Sequence, residues 1–248
     1  MKKNPVIISV VTFLIITACS LSSGLGFQTI NGSGKVKDEA RNVSGFDQVE
    51  VCCGMELYRT QGNSEALRIQ ADDNFLEEIE TRVVNGKLEI GYRQATNVSY
   101  RPSQPVRLYL SVVGLQAVSV SGGGLFDTES LSSSKFRLDL SGGSDAVVGD
   151  FDMDDLYVNI SGGGNIIVAG SVEDAKIDLS GSSGFDGGDL EIQYLTISCS
   201  GGGNATVWVE DSLDADLSGG SALEYYGHPD ILRQDLSGGS NLESLGSH

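Results

Sequence analysis

The chain has 248 residues, with 34 acidic against 16 basic side chains and a formal charge of −18. That excess of negative charge argues against a nucleic-acid partner, and a hydrophobic content of 40% argues against a disordered chain. Abundant glycine (33 residues) beside only four prolines excludes collagen-like sequence and points to many tight turns.

In chain order, Lys2 and Lys3 precede a nearly unbroken apolar run from Val6 to Ala18. The run falls short of the ~20 residues a membrane-spanning helix needs. It closes on Ile16-Thr17-Ala18-Cys19, which resembles the bacterial lipobox, in which the cysteine is lipidated and becomes the mature N-terminus. The resemblance implies a lipoprotein signal peptide over 1–18, lipid attachment at Cys19, and an extracytoplasmic protein held on an outer membrane or cell surface. An ordinary signal peptide with a chance cysteine is the competing reading. Residues 19–30 read as a flexible tether and 31–248 as a single domain.

Before Ser121 the pattern is irregular. Gly45 to Val51, Leu67 to Ala71 and Pro105 to Val113 read as strands, and Arg82 to Tyr92 carries a central Asn85-Gly86 hairpin signal. Asp73-Asn74 before Phe75-Leu76-Glu77-Glu78-Ile79 reads as one capped helical turn.

From Ser121 onward the chain repeats. Ser-Gly pairs begin at Ser121, Ser141, Ser161, Ser180, Ser200, Ser218 and Ser237, at intervals of 20, 20, 19, 20, 18 and 19. One position before these serines stand Leu140, Ile160, Leu179, Cys199, Leu217 and Leu236. Three before come Leu138, Val158, Ile177, Ile197, Ala215 and Gln234, and five after come Phe126, Ala146, Ile166, Phe185, Ala205, Leu223 and Leu242. Alternation on both sides of a glycine corner means strand, turn, strand. The spacing predicts an all-β parallel β-helix with coils of about twenty residues. A hairpin sandwich, or a coil of about 39 residues holding two marks, competes with it. The second is prompted by Ser-Gly-Gly-Gly at 121, 161 and 200 alternating with other corners.

Gly45-Phe46-Asp47-Gln48-Val49-Glu50-Val51, then Gln61-Gly62, Glu65, Leu67 and Ile69, resemble the opening of the head GIN domain, a family of autotransporter adhesins. Ala71-Asp72-Asp73-Asn74, Ile79-Glu80-Thr81, Gly86-Lys87-Leu88-Glu89-Ile90 and the Ser-Gly-Gly marks match it too, so the resemblance spans about 33 to 245. It implies a right-handed β-helix on a secreted or surface bacterial protein. Cys52-Cys53 departs from the family pattern, which more often has Ser-Gly or Gly-Ser there.

Motifs for catalysis are sparse. His228 lies in a turn, His248 ends the sequence, and no nucleophile elbow, zincin or phosphate loop is present. No catalytic residue, cofactor or metal ligand is assigned. Cys199 belongs to the inward column and reads as a small buried hydrophobe. Cys52 and Cys53 would point to opposite faces of a regular strand, and their disulfide is left open. Residues 1–126 balance 12 basic with 12 acidic side chains, whereas 127–248 hold 4 and 22. Asp139, Asn159, Asp178, Ser198, Asp216 and Asp235, two positions before the marks, should form an outward ladder. Such a ladder is a solubilising face or a weak divalent-cation site. Residues 90–126 contain no Asp, Glu or Lys but hold Tyr92, Arg93, Tyr100, Arg101, Arg107 and Tyr109, the candidate ligand patch for a glycan or an envelope protein. The expected role is structural or adhesive; a carbohydrate-binding or carbohydrate-processing module is the alternative.

Overall fold

A computed structural model describes residues 28–93 and 98–248. The expected signal peptide, Cys19 and the tether as far as Phe27 lie outside the described residues. The first strands are β1 (Gln28–Asn31), β2 (Val36–Arg41), β3 (Gln48–Val51), β4 (Glu56–Gln61), β5 (Ala66–Asp72), β6 (Ile79–Val84), β7 (Lys87–Tyr92), β8 (Val98–Arg101) and β9 (Arg107–Val112). The repeat region follows as β10 (Ala117–Ser121), β11 (Leu125–Thr128), β12 (Leu131–Gly142), β13 (Asp145–Gly162), β14 (Asn165–Gly181) and β15 (Gly184–Gly201). It closes with β16 (Asn204–Leu217), β17 (Ala222–Tyr226), β18 (Asp230–Leu236) and β19 (Asn241–Gly246).

The strands stack in parallel as a β-solenoid of about six turns. Each coil pairs with the one a single mark away: Leu138 with Val158, Val158 with Ile177, and Ile177 with Ile197. The marks coincide as well, Ser141 on Ser161 on Ser180 on Ser200. This one-mark register excludes the sandwich and the double-length coil. Burial alternates along every long strand because each second side chain faces the enclosed core. Cys199, flanked in its column by Leu179 and Leu217, is buried.

The Ser-Gly-Gly-Gly alternation has a local cause. The fourth corner position runs Gly124, Ser144, Gly164, Ser183, Gly203 and Ser221. The three serines are buried, and each hydroxyl donates to the carbonyl of its own mark serine at 2.8 Å. The Ser144 hydroxyl also accepts from the amides of Gly123 and Gly124 in the adjoining coil, both at 3.3 Å. A Cβ on Gly164 would sit 2.0 Å from the Ser144 carbonyl oxygen. A serine on one coil therefore fits over a glycine on the next, while the coil itself stays single-length.

The N-terminal end departs from sequence order. β3 and β4 form a rung lying between β7 and β9 on one side and β10 and β11 on the other. Beyond that outer rung the pairing turns antiparallel, β9 with β5, β5 with β2, and β7 with β6. The β6–β7 hairpin turns on Asn85 (φ 52°) and Gly86 (φ 79°), as its sequence predicts. The segment 73–78 is a single turn rather than a helix: Phe75 N–H bonds to the Asp72 carbonyl at 2.9 Å and Ile79 N–H to Phe75 at 3.1 Å. Its expected cap is absent because Asn74 bonds elsewhere, accepting from Ser33 N–H and donating to the Asn31 carbonyl. The turn delivers Phe75, Leu76 and Ile79 into the core. Gln28, Thr29 and Ile30, expected in the tether, instead form β1 against β8, because Ile30 packs on the core.

Candidate functional site

Val51 pairs with Val120, so Cys52 and Cys53 fall where later coils have serine and glycine. The corner geometry is kept: Cys53 has φ 69° where Gly122 has 77°. Because the chain leaves the strand at Val51, the two cysteines are not on opposite faces, and they are disulfide-bonded to each other. Their neighbour in β7 is Gly91, where a Cβ would lie 2.7 Å from the Cys52 Sγ. Only a glycine lets the bonded pair sit against that strand.

Beside this corner is a cleft of about 360 Å³ lined by Glu50, Cys52, Glu80, Arg82, the strand from Glu89 to Tyr92, and Arg93. The sheet register sets its chemistry, since Glu50 pairs with Glu89 and Glu89 with Arg82 across three strands. Arg82 Nε donates to Glu89 at 2.6 Å, Lys87 bridges Glu50 and Glu89, and Arg93 lies 3.3 Å from Glu80. The hydrogen bond from Arg82 is the main cause holding the Glu89 carboxyl below its ordinary value, the opposite of what a general acid requires. The bond to Glu50 chiefly raises the Lys87 ammonium. The wall is a mosaic of carboxylates and guanidinium groups around a half-buried tyrosine, suited to hydrogen-bonding a polyhydroxylated ligand.

The predicted ligand patch divides in two. Tyr92 and Tyr100 stack at 4.2 Å over Phe75, and the Tyr100 hydroxyl bonds to Glu78 and to the Arg93 carbonyl, both at 3.2 Å. Burial pushes the Tyr92 phenol up to about 12. Arg101 is exposed on β8. Arg107 and Tyr109 sit on β9 in a second cluster, where Tyr109 stacks on Tyr58 at 5.4 Å under the Arg68 guanidinium, and Arg107 Nε donates to Glu56 at 3.1 Å. The first cluster shares the cleft and the second faces out from the neighbouring sheet strands.

Residues the sequence reading passed over also matter. Asp72 is buried in the cap and accepts hydrogen bonds from Gly34 N–H, Ser103 N–H and the Ser103 hydroxyl at 2.8, 2.8 and 2.6 Å. Burial alone would raise its carboxyl, but those bonds outweigh it and the carboxyl lies below its ordinary value. Trp208, the sole tryptophan, stacks on His248 at 4.2 Å, with Tyr226 edge-on to the same imidazole. The outward ladder forms as expected, Asp139, Asn159, Asp178, Ser198, Asp216 and Asp235 in register. Arg137 neutralises one end, and Arg233 the other through Asp216 and Asp235. Among the described residues no group of three or more His, Cys, Asp or Glu side chains is placed to hold a metal ion.

Residues 45–229 match the family described as "Putative auto-transporter adhesin, head GIN domain". The chain belongs to the head GIN domain family. Solved structures share its fold. A "putative adhesin" of Bacteroides fragilis is 21% identical, with a TM-score of 0.80 over 87% of this chain and 100% of that one. A "putative adhesin" of Parabacteroides merdae is 19% identical, with 0.71 over 88% and 99%. A "putative lipid binding protein" of Parabacteroides distasonis is 18% identical, with 0.73 over 88% and 100%. No curated protein matches. The head GIN assignment supports an adhesive, cell-surface or extracytoplasmic role.

Proposed function

We propose that this head GIN protein is a non-catalytic adhesin, held outside the cytoplasm by a lipid on Cys19, that grips a surface or envelope polysaccharide in the cleft beside Cys52. The family match over 45–229 carries the adhesive reading. The ion-paired carboxylates of the cleft favour holding over cutting, because Glu89 is stabilised in its charged form. A sugar chain offers hydroxyl pairs to the Arg82 and Arg93 guanidinium groups and a C–H face to Tyr92.

The anchor is tested by replacing Cys19 with Ser. Loss of palmitate labelling and release from the membrane fraction are expected, and unchanged retention of the variant would refute it. Cells displaying the protein should adhere to polysaccharide-coated surfaces more than cells carrying the Cys19→Ser form, and equal adherence would count against the adhesive role.

A further inference from the structure

The two ends of the column are finished differently. At the N-terminal end the outermost parallel rung buries Leu88, Ile90, Leu108 and Leu110, because the antiparallel strands and Phe75 cover it. At the other end β18 and β19 form the last described rung, and nothing among the described residues lies on it. The core columns lose their cover there. Leu217 is 0% exposed and its ladder partner Leu236 is 41%; Leu213 is 0% and its partner Ile231 is 39%. Gln234 replaces Ala215 in the inward column, placing an amide where the rung below has a buried methyl. β18 pairs with β16 on one side, and every residue of it is exposed. Among the described residues it is an open strand edge above an open core.

The sequence of that edge is complementary to itself. Arg233 and Asp235 flank Gln234 with opposite charge, and both face outward in the column of Asp214 and Asp216. Let two copies of β18 run antiparallel with Gln234 opposite Gln234. Arg233 of each copy then stands opposite Asp235 of the other, twice, and the two amides can exchange hydrogen bonds across the axis. Other registers fail. A slip of two residues sets Arg233 opposite Arg233 or Asp235 opposite Asp235, and a slip of one turns inward side chains outward.

We propose that the protein forms a tail-to-tail dimer with a second copy of itself, through antiparallel pairing of β18 about a two-fold axis at Gln234. Because the same edge of each copy is used in this isologous contact, the assembly closes at two rather than growing into a filament. The dimer would direct the two N-terminal caps, each with its cleft, away from each other.

Sedimentation velocity of the purified protein over a roughly hundredfold range of concentration should show a monomer–dimer equilibrium. Gln234→Cys should crosslink to itself under mild oxidation, because opposed Cβ atoms lie about 4.5–5.5 Å apart in such a pair. Asp230→Cys, far from its copy in this register, should not. Gln234→Glu sets two like charges together and should weaken the dimer at least about tenfold, while Gln234→Leu keeps it and circular dichroism stays unchanged in both. A monomer at every concentration would overturn the proposal. So would a dimer that neither crosslinks through Cys at 234 nor weakens in Gln234→Glu.

Discussion

Replacing Gly162 with alanine should cost several kcal/mol, while the same change one residue later, at Gly163, should cost almost nothing. Gly162 has φ 108°, and an added Cβ would lie 2.2 Å from the Gly142 carbonyl oxygen and 3.1 Å from its carbon. The left-handed conformation alone costs an alanine about 1–2 kcal/mol. Relieving the overlap means parting two stacked corners, which strains the bond from Gly163 N–H to the Gly142 carbonyl, 3.0 Å long. Such a bond contributes about 1 kcal/mol. The total is about 3 kcal/mol or more before any spread to neighbouring coils. Gly163 lacks a positive φ and has nothing within 4 Å of an added Cβ. Alanine there restricts the unfolded chain and should be neutral or stabilising by up to about 1 kcal/mol. Urea unfolding followed by circular dichroism separates the two through their midpoints. Equal losses at both positions, or a larger loss at Gly163, would refute the stacked-corner geometry.

Three further outcomes follow from buried groups. Ser144→Ala should lower stability by about 1 kcal/mol and Ser141→Ala by much less, since only the first loses a buried hydroxyl bonded in both directions; matching melting temperatures would contradict this. The Cys199 thiol, pushed up to about 12 by burial and secondarily by Asp178, should resist a water-soluble alkylating reagent at pH 8 until the protein is denatured. Rapid labelling of the native protein would place it outside the core. Asp72, held below its unfolded value, stabilises the fold above about pH 4 and loses that contribution as pH falls through its folded value. The stability gap between the native protein and Asp72→Asn should therefore narrow between pH 7 and pH 3, and a constant gap would show that the ionised carboxyl is not what the cap uses.

The solenoid was legible because its physics is periodic. Alternating apolar columns and glycine corners recur at one spacing, so Leu140, Ile160, Leu179 and Cys199 could be aligned by counting, and the structure stacks them in that order. The rung formed by β3 and β4 could not be counted in. Its corner is Cys52-Cys53-Gly54 rather than Ser-Gly-Gly, and both of its neighbouring rungs come from later in the chain at separations that match no repeat interval. Arg59 was equally hidden: it lies 3% exposed in an inward position, its guanidinium bonded to the Ser130 carbonyl at 2.5 Å, where a pattern of apolar residues predicts a hydrophobe. The candidate site was half legible. A stretch of tyrosines and arginines without acidic residues marks Tyr92, Arg93 and Tyr100, but the carboxylates they meet, Glu80 beside Arg93 and Glu78 beside Tyr100, lie earlier in the chain, outside that stretch. Proximity in sequence groups Arg107 and Tyr109 with them, yet β9 carries both to a different cluster.

Adhesion through the cleft is tested most directly by the retention of the purified protein on an array of surface and envelope polysaccharides, including pectin, alginate and peptidoglycan fragments, read for binding and for chain cleavage together. Saturable retention on at least one polymer, without release of shortened chains, is the expected result. Arg82→Ala combined with Arg93→Ala should reduce it at least about tenfold while leaving the melting temperature unchanged. Retention on no polymer, retention indifferent to both arginines, or the appearance of cleavage products would contradict a holding role for this cleft.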